Sequence, residues 1–132
     1  MLLCLIFFSF AMQLLYVAET TMPEFTTPVI DSYEYHTQAI RILAHEVPSI
    51  PFWRPPLYPY WLALIYRFVG PDPALARYVD VIWMVVTCVL TFAIARRVLS
   101  ARLAFFSGLL IPLCGPLVFQ FGQLMPTGMA VS

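Results

Sequence analysis

Two long stretches of this sequence carry no charged side chain: residues 1–18 and residues 103–132. The acids are concentrated between them, with five of the seven at positions 19–46. Charged residues make up 11% of the chain, against roughly a quarter in an ordinary soluble domain. Because a water-soluble fold spreads charge over its surface, this blocking predicts an all-α integral membrane protein in contact with membrane lipids. The net charge of zero, without a single lysine, gives no sign of a nucleic-acid partner.

Three segments are apolar enough to cross a bilayer, where a helix needs roughly 17–25 residues. They are residues 1–18, 78–98 and 103–121, which we assign to a single membrane domain. The first could also be a signal peptide, but no basic n-region precedes it and no small-x-small cleavage site follows. The third contains Pro112 and Pro116, which membrane helices tolerate where neighbouring groups satisfy the freed carbonyls.

The stretch 55–70, PPLYPYWLALIYRFVG, is short for a crossing and rich in aromatic residues that suit the headgroup zone. If it lies along the membrane surface, the basic cluster Arg96, Arg97 and Arg102 falls on the opposite side of the membrane from the acidic segment. The positive-inside rule then places the arginines in the cytoplasm. Residues 19–77 are accordingly expected to be extracytoplasmic, at a plasma membrane or a bacterial inner membrane. A short tilted crossing is the alternative.

The outer segment is expected to contain an amphipathic helix that begins at Asp31. Asp31 is predicted as its N-cap, with Glu34 three residues later in the capping-box position. A 3.6-residue period puts Asp31, Tyr35 and Ile42 on one face, beside an apolar stripe that can rest on the membrane. Pro48 and Pro51 are predicted to end this helix. The expected fold is therefore about three transmembrane helices, with amphipathic juxtamembrane helices in the first outer loop.

A basic proline motif follows, in which Arg54 stands between Phe52-Trp53 and Pro55-Pro56. The order is thus an apolar first helix, Asp-x-x-x-Tyr-x-x-x-Ala from Asp31, a basic residue before Pro-Pro-Leu-Tyr-Pro, a short aromatic helix, and an arginine-initiated span closing on Arg-Arg. Over about residues 1–125, this order resembles the N-terminal region of GT-C membrane glycosyltransferases. That class holds the protein O-mannosyltransferases and the aminoarabinose transferases that modify lipid A. Its members are much longer, so the resemblance implies the N-terminal part of a longer polytopic protein.

The resemblance implies an inverting transfer of a sugar from a polyprenyl-phosphate-linked donor to an acceptor on the extracytoplasmic face. Asp31 matches the loop carboxylate that serves as general base or, in some branches, binds a divalent cation, Mg or Mn. Arg54 matches the basic position and is expected to hold the departing phosphate, which a guanidinium binds in a bidentate way. Tyr33 and Tyr35 are candidates for stacking on sugar or orienting the carboxylate. Glu34 completes the expected substrate-binding set.

The residues alone leave other interpretations open. Asp31 and Glu34 also suit a purely structural cap, and Arg54 also suits a contact with lipid phosphate. Asp80, close to Arg77 near a membrane end, is expected to form a local ion pair. The chain could instead be a non-catalytic small membrane subunit or anchor, whose outer loop binds a partner such as another membrane subunit. A transporter is less favoured, because none of the three expected spans has an ionisable group at its centre.

Overall fold

The computed structural model describes residues 1–20, 27–28, 30–46, 56–124 and 126. Throughout these residues the regular structure is α-helical, which confirms the expected all-α fold. The helices of the described part are α1 (Leu2–Glu19), α2 (Asp31–Leu43), α3 (Leu57–Val69), α4 (Pro73–Ala95), α5 (Ala101–Leu113) and α6 (Gly115–Phe121).

Helices α1 and α4 are each long and apolar enough to cross a bilayer. Helices α5 and α6 pass the same test together, but the pair is bent by 64° at Cys114, where the backbone is extended. The bend lies between Pro112 and Pro116, neither of which can donate a backbone hydrogen bond. The described residues therefore contain two candidate crossings, or three if the bent pair is one span. The expected integral membrane fold is confirmed.

Helices α1, α4 and α5 pack around a shared apolar core. At Gly108 the backbone of α5 comes so near α4 that an added Cβ would lie 3.1 Å from the carbonyl oxygen of Cys88. The fully buried Leu5 of α1 fills the same junction. Across the bend, the buried amide of Gln13 donates to the carbonyl oxygen of Val118 at 3.2 Å. Close approach at small residues and polar bonds between helices are both typical of membrane bundles.

One end of this bundle is fixed by Arg77 of α4. Its Nη1 and Nη2 atoms donate to the carbonyl oxygen and the hydroxyl of Thr20, the C-cap of α1, at 3.0 and 2.7 Å. The chain therefore leaves α1 and enters α4 at the same end of the bundle. The basic cluster lies at the other end, where α4 turns into α5, and consists of Arg96, Arg97 and Arg102.

Helix α4 covers Pro73–Ala95, whereas the sequence placed the span at residues 78–98. The early start has a local cause. The Oδ1 atom of Asp72 accepts hydrogen bonds from the amides of Ala74 and Leu75, at 2.8 and 3.4 Å. Proline at the first helical position needs no such acceptor, so an Asp-Pro pair is a favourable helix start.

Helix α2 packs on α3, and α3 in turn packs on the start of α4. Helix α3 has 13 residues and is about 20 Å long, shorter than the roughly 30 Å hydrocarbon core of a bilayer. Its length and one-sided burial favour the juxtamembrane interpretation over a tilted crossing. The core between the three helices contains Tyr35, Ala39, Tyr58, Leu62, Tyr66 and Ala76.

Helix α2 ends at Leu43, earlier than the sequence predicted. His45 adopts a φ of 57°, and the amides of His45 and Glu46 bond back to carbonyls of the last turn at 3.1 and 3.0 Å. This is the Schellman arrangement, which satisfies carbonyls that a helix end leaves without donors. The prediction that Pro48 and Pro51 end the helix is therefore wrong, since the helix ends before both of these prolines, which lie outside the described residues.

Candidate functional site

The predicted site residues of α2 lie in its first two turns, and one of them, Tyr35, enters the core between α2 and α3. Asp31 is the first residue of α2 and is half-buried. The N-cap position belongs to Ile30, whose φ of 50° is unusual for a β-branched residue. The expected capping box, with Asp31 as N-cap, is wrong, because Asp31 is already the first helical residue and Glu34 is the fourth. Both carboxylates instead occupy the first turn, where a helix N-terminus favours negative charge.

The two tyrosines near Asp31 face different environments. Tyr33 is 61% exposed, whereas Tyr35 is 2% exposed and enters the interface between α2 and α3. The Tyr35 ring meets the ring of Tyr58 edge-on, with centroids 5.2 Å apart and an interplanar angle of 86°. Of the two roles expected for these tyrosines, stacking on a sugar suits Tyr33 and orienting the α2 carboxylate suits Tyr35. Both roles stay predictions.

Asp80 of α4 is a buried carboxylate, with 3% of its surface exposed. Its Oδ2 atom accepts a hydrogen bond from the Tyr58 hydroxyl at 2.6 Å, and its Oδ1 atom accepts one from the Trp61 indole at 2.8 Å. Burial raises the pKa of Tyr58 well above its ordinary value, and the charge of Asp80 raises it further. The phenol therefore keeps the proton that it donates. Bonding of both oxygens makes burial of a carboxylate tolerable.

This arrangement differs from the ion pair that the sequence suggested for Asp80. Arg77 points to Thr20 and to the carbonyl oxygen of Gly122, while Asp80 points to α3. Sequence reasoning missed these partners, although one signal was present. Tyr58 and Trp61 are three residues apart in a short aromatic helix, which puts two donors on one helix face.

A second polar contact joins α2 to α3. The Nδ1 atom of His36 lies 2.7 Å from the Tyr66 hydroxyl, and the two rings are in T-shaped contact. Burial lowers the pKa of His36. Burial also raises the pKa of Tyr66, as do the nearby charges of Asp80 and Asp72. Both partners are therefore uncharged near pH 7.

Two expectations are not tested by the described residues. Arg54 lies outside the described residues, so its approach to Asp31 stays a prediction. Within the described part of the chain, no group of three His, Cys, Asp or Glu side chains could hold a metal ion. The divalent cation, Mg or Mn, with Asp31 as its ligand, also stays a prediction.

An open groove of about 580 Å³ runs between the C-terminal part of α2 and the exposed side of α3. Its floor is largely aliphatic, and its rim carries basic and phenolic groups. An aliphatic floor with basic groups beside it suits an amphiphile that has an anionic head. The groove is lined by Ile42, Leu43, His45, Tyr60, Ala63, Leu64 and Arg67.

A protein-family model described as dolichyl-phosphate-mannose-protein mannosyltransferase matches residues 38–129. The match begins within α2 and extends past α6, so it includes Tyr58 and Asp80 and starts after Asp31. No curated protein and no solved structure matches the chain.

Proposed function

The chain belongs to the dolichyl-phosphate-mannose-protein mannosyltransferase family, and on that premise we propose that it transfers a sugar from a polyprenyl-phosphate-linked donor to an acceptor on the extracytoplasmic face. The family consists of membrane glycosyltransferases of the GT-C type. The observation that supports this proposal best is the position of Asp31. It places a half-buried carboxylate at the first residue of a juxtamembrane helix, where a polar acceptor can reach a lipid-bound donor.

Asp31 is proposed as the general base of an inverting displacement. Its carboxylate takes the proton of an acceptor hydroxyl while that oxygen attacks the anomeric carbon of the donor. The bond between this carbon and the phosphate oxygen breaks, and the polyprenyl phosphate leaves with the bonding electron pair. The exposed Tyr33 ring stands two residues away and can stack on a sugar face, and Glu34 is proposed to bind substrate beside it.

Arg54 is proposed to hold the departing phosphate. The support for this role is chemical, since the planar guanidinium binds phosphate oxygens in a bidentate way. The sequence adds a second argument. Arg54 precedes α3 by three residues, and the first turn of α3 carries the Tyr58 ring that contacts Tyr35, one turn along α2 from Asp31.

The lipid part of the donor needs an apolar surface close to this site. The groove between α2 and α3 offers an aliphatic floor, and Arg67 stands at its rim. Its position in the juxtamembrane layer suits a prenyl chain that enters from the bilayer while its phosphate stays near water.

The test uses the full-length protein in membranes, with labelled dolichyl-phosphate mannose as donor and transfer of label to membrane protein as readout. We expect Asp31→Asn to lower kcat by at least about 100-fold, the usual contribution of a general base, with membrane insertion unchanged. The matched control is Asp72→Asn, because Asp72 is an exposed aspartate at a helix start and asparagine also caps helices well.

Each result of this comparison decides one point. Full transfer by Asp31→Asn would remove Asp31 from the role of base. If the wild type transferred a different sugar from its polyprenyl phosphate and no mannose, the donor would be that sugar's polyprenyl phosphate and not dolichyl-phosphate mannose. Absence of transfer from any such donor would favour a non-catalytic subunit.

A further inference from the structure

A buried carboxylate links the membrane bundle to the layer that carries the proposed base. Asp80 lies near the start of α4, and both of its oxygens are bonded to donors from α3, the Tyr58 hydroxyl and the Trp61 indole. The rings of Trp61 and Trp83 are in T-shaped contact, with centroids 5.3 Å apart, so the indole that donates to Asp80 is itself packed against α4. A carboxylate held in this way at an apolar interface can set the relative position of the two helices.

What the carboxylate of Asp80 sets is the register of α3 on α4. The apolar contacts between these helices include Ala76 and Val79. Apolar burial is non-directional and leaves a helix free to slide or rotate by small amounts. Two short hydrogen bonds to a single carboxylate are directional and fix both the rotation and the height of α3.

The position of α2 depends in turn on that of α3. Helix α2 packs mainly against α3, and the buried Tyr35 ring meets the same Tyr58 ring whose hydroxyl is bound to Asp80. Tyr35 stands one helical turn after Asp31 on the same face of α2. The bond between His36 and Tyr66 is a second tie between the two helices.

We infer that Asp80 is a positioning residue for the transfer reaction. Through Tyr58 and Tyr35 it holds α2, and hence the Asp31 carboxylate, at a fixed place over the end of the bundle. The inference rests on the proposed function, because it takes Asp31 as the group that must be placed. Asp80 itself touches no substrate, since its oxygens are buried and already bonded.

The kinetic test compares Asp80→Asn and Tyr58→Phe in the full-length protein, with dolichyl-phosphate mannose as donor. We expect Asp80→Asn to lower kcat by about 10- to 100-fold, the scale of a misplacement near 1 Å, with a smaller change in acceptor KM. The double variant should be no worse than Asp80→Asn alone, because both changes break the same hydrogen bond. The matched control is Thr87→Val, which alters another buried polar residue of α4 that bonds within its own helix.

A purely structural defect is separated from positioning by repeating the change in the Asp31→Asn background. A smaller folded fraction would lower the residual activity by the same factor as in the wild type. If Asp80 acts through Asp31, the residual activity of Asp31→Asn should not fall further when Asp80→Asn is added. An equal fall in both backgrounds would overturn the inference.

Hydrogen–deuterium exchange measures the effect of Asp80 on α2 and α3 independently of catalysis. Asp80→Asn should speed exchange in α2 and α3 and leave α5 unchanged, whereas Thr87→Val should leave α2 unchanged. Full activity of Asp31→Asn would show that Asp31 is not the general base. Exchange in α2 would then decide whether Asp80 positions α2. Unchanged kcat or unchanged exchange in α2 would overturn the inference. If Asp80→Asn fails to insert, Tyr58→Phe is judged by the same two criteria.

Discussion

The Nε atom of Arg77 lies 2.7 Å from the carbonyl oxygen of Gly122, so a cation near the start of α4 reaches the C-cap of α6. The same guanidinium binds Thr20, the C-cap of α1. Carbonyls at helix C-termini lack helical donors and carry partial negative charge. A single side chain thus joins the ends of two helices that are far apart in sequence to a third helix.

Replacing Arg77 should therefore loosen one end of the bundle. We expect Arg77→Gln to lower the free energy of unfolding by about 2–4 kcal/mol, because charge-assisted bonds are lost and buried carbonyls are left without donors. Arg67→Gln is the control, since Arg67 is exposed on α3. Thermal unfolding in detergent measures both, and equal midpoints for the two variants would contradict this role of Arg77.

Close packing at Gly108 gives a second prediction about stability. An added Cβ there would lie 2.8 Å from a methyl group of Leu5 and 3.1 Å from the backbone carbonyl oxygen of Cys88, which cannot move aside. Gly108→Ala should cost about 1–3 kcal/mol through overpacking. Gly115→Ala is the matched control, because nothing lies within 4 Å of its added Cβ. Chemical unfolding should show a loss for Gly108→Ala and none for Gly115→Ala.

The parts of the fold that follow from local sequence could be predicted. Long apolar runs identified the candidate membrane helices, and the short aromatic stretch indicated a short separate helix. The start of α4 was also readable, because Asp72 before Pro73 is a helix-start signal, but the apolar run drew the boundary to residue 78. The end of α2 was harder, since it depends on His45 adopting a left-handed conformation that is usually taken by glycine.

The candidate site was predictable to a smaller extent. Asp31 could be singled out as a polar group at a helix start. The partners of Asp80 could not, because they depend on how α3 lies over α4, and sequence spacing favoured the nearby Arg77. Likewise, helical periodicity put Tyr35 on the face of Asp31, but nothing in the sequence showed that its ring would be buried against Tyr58.

The orientation of the bundle gives a prediction about sidedness. The chain leaves α1 and enters α4 at one end, and the basic cluster at the other end contains Arg96 and Arg97. The positive-inside rule then places α2 outside. A cysteine introduced at the exposed Tyr33 should react with an impermeant maleimide in intact cells, and one at the exposed Ser100 should react after permeabilisation. The reverse pattern would place the proposed site in the cytoplasm and contradict the proposed function.

The contact between His36 and Tyr66 predicts how pH acts on the pairing of α2 with α3. Burial lowers the pKa of His36 below its unfolded value of 6.5. Between these two values the unfolded chain binds more protons than the folded one, so stability falls as pH drops through that window. Hydrogen exchange in α2, corrected for its intrinsic pH dependence, should therefore be faster at pH 5.5 than at pH 7.5. His36→Gln should reduce this difference, because the group that resists protonation is gone. His45→Gln is the matched control, since His45 is exposed just after the same helix, and it should leave the difference in place. If His45→Gln abolished the pH dependence and His36→Gln left it unchanged, the effect would come from His45, and this prediction would be contradicted.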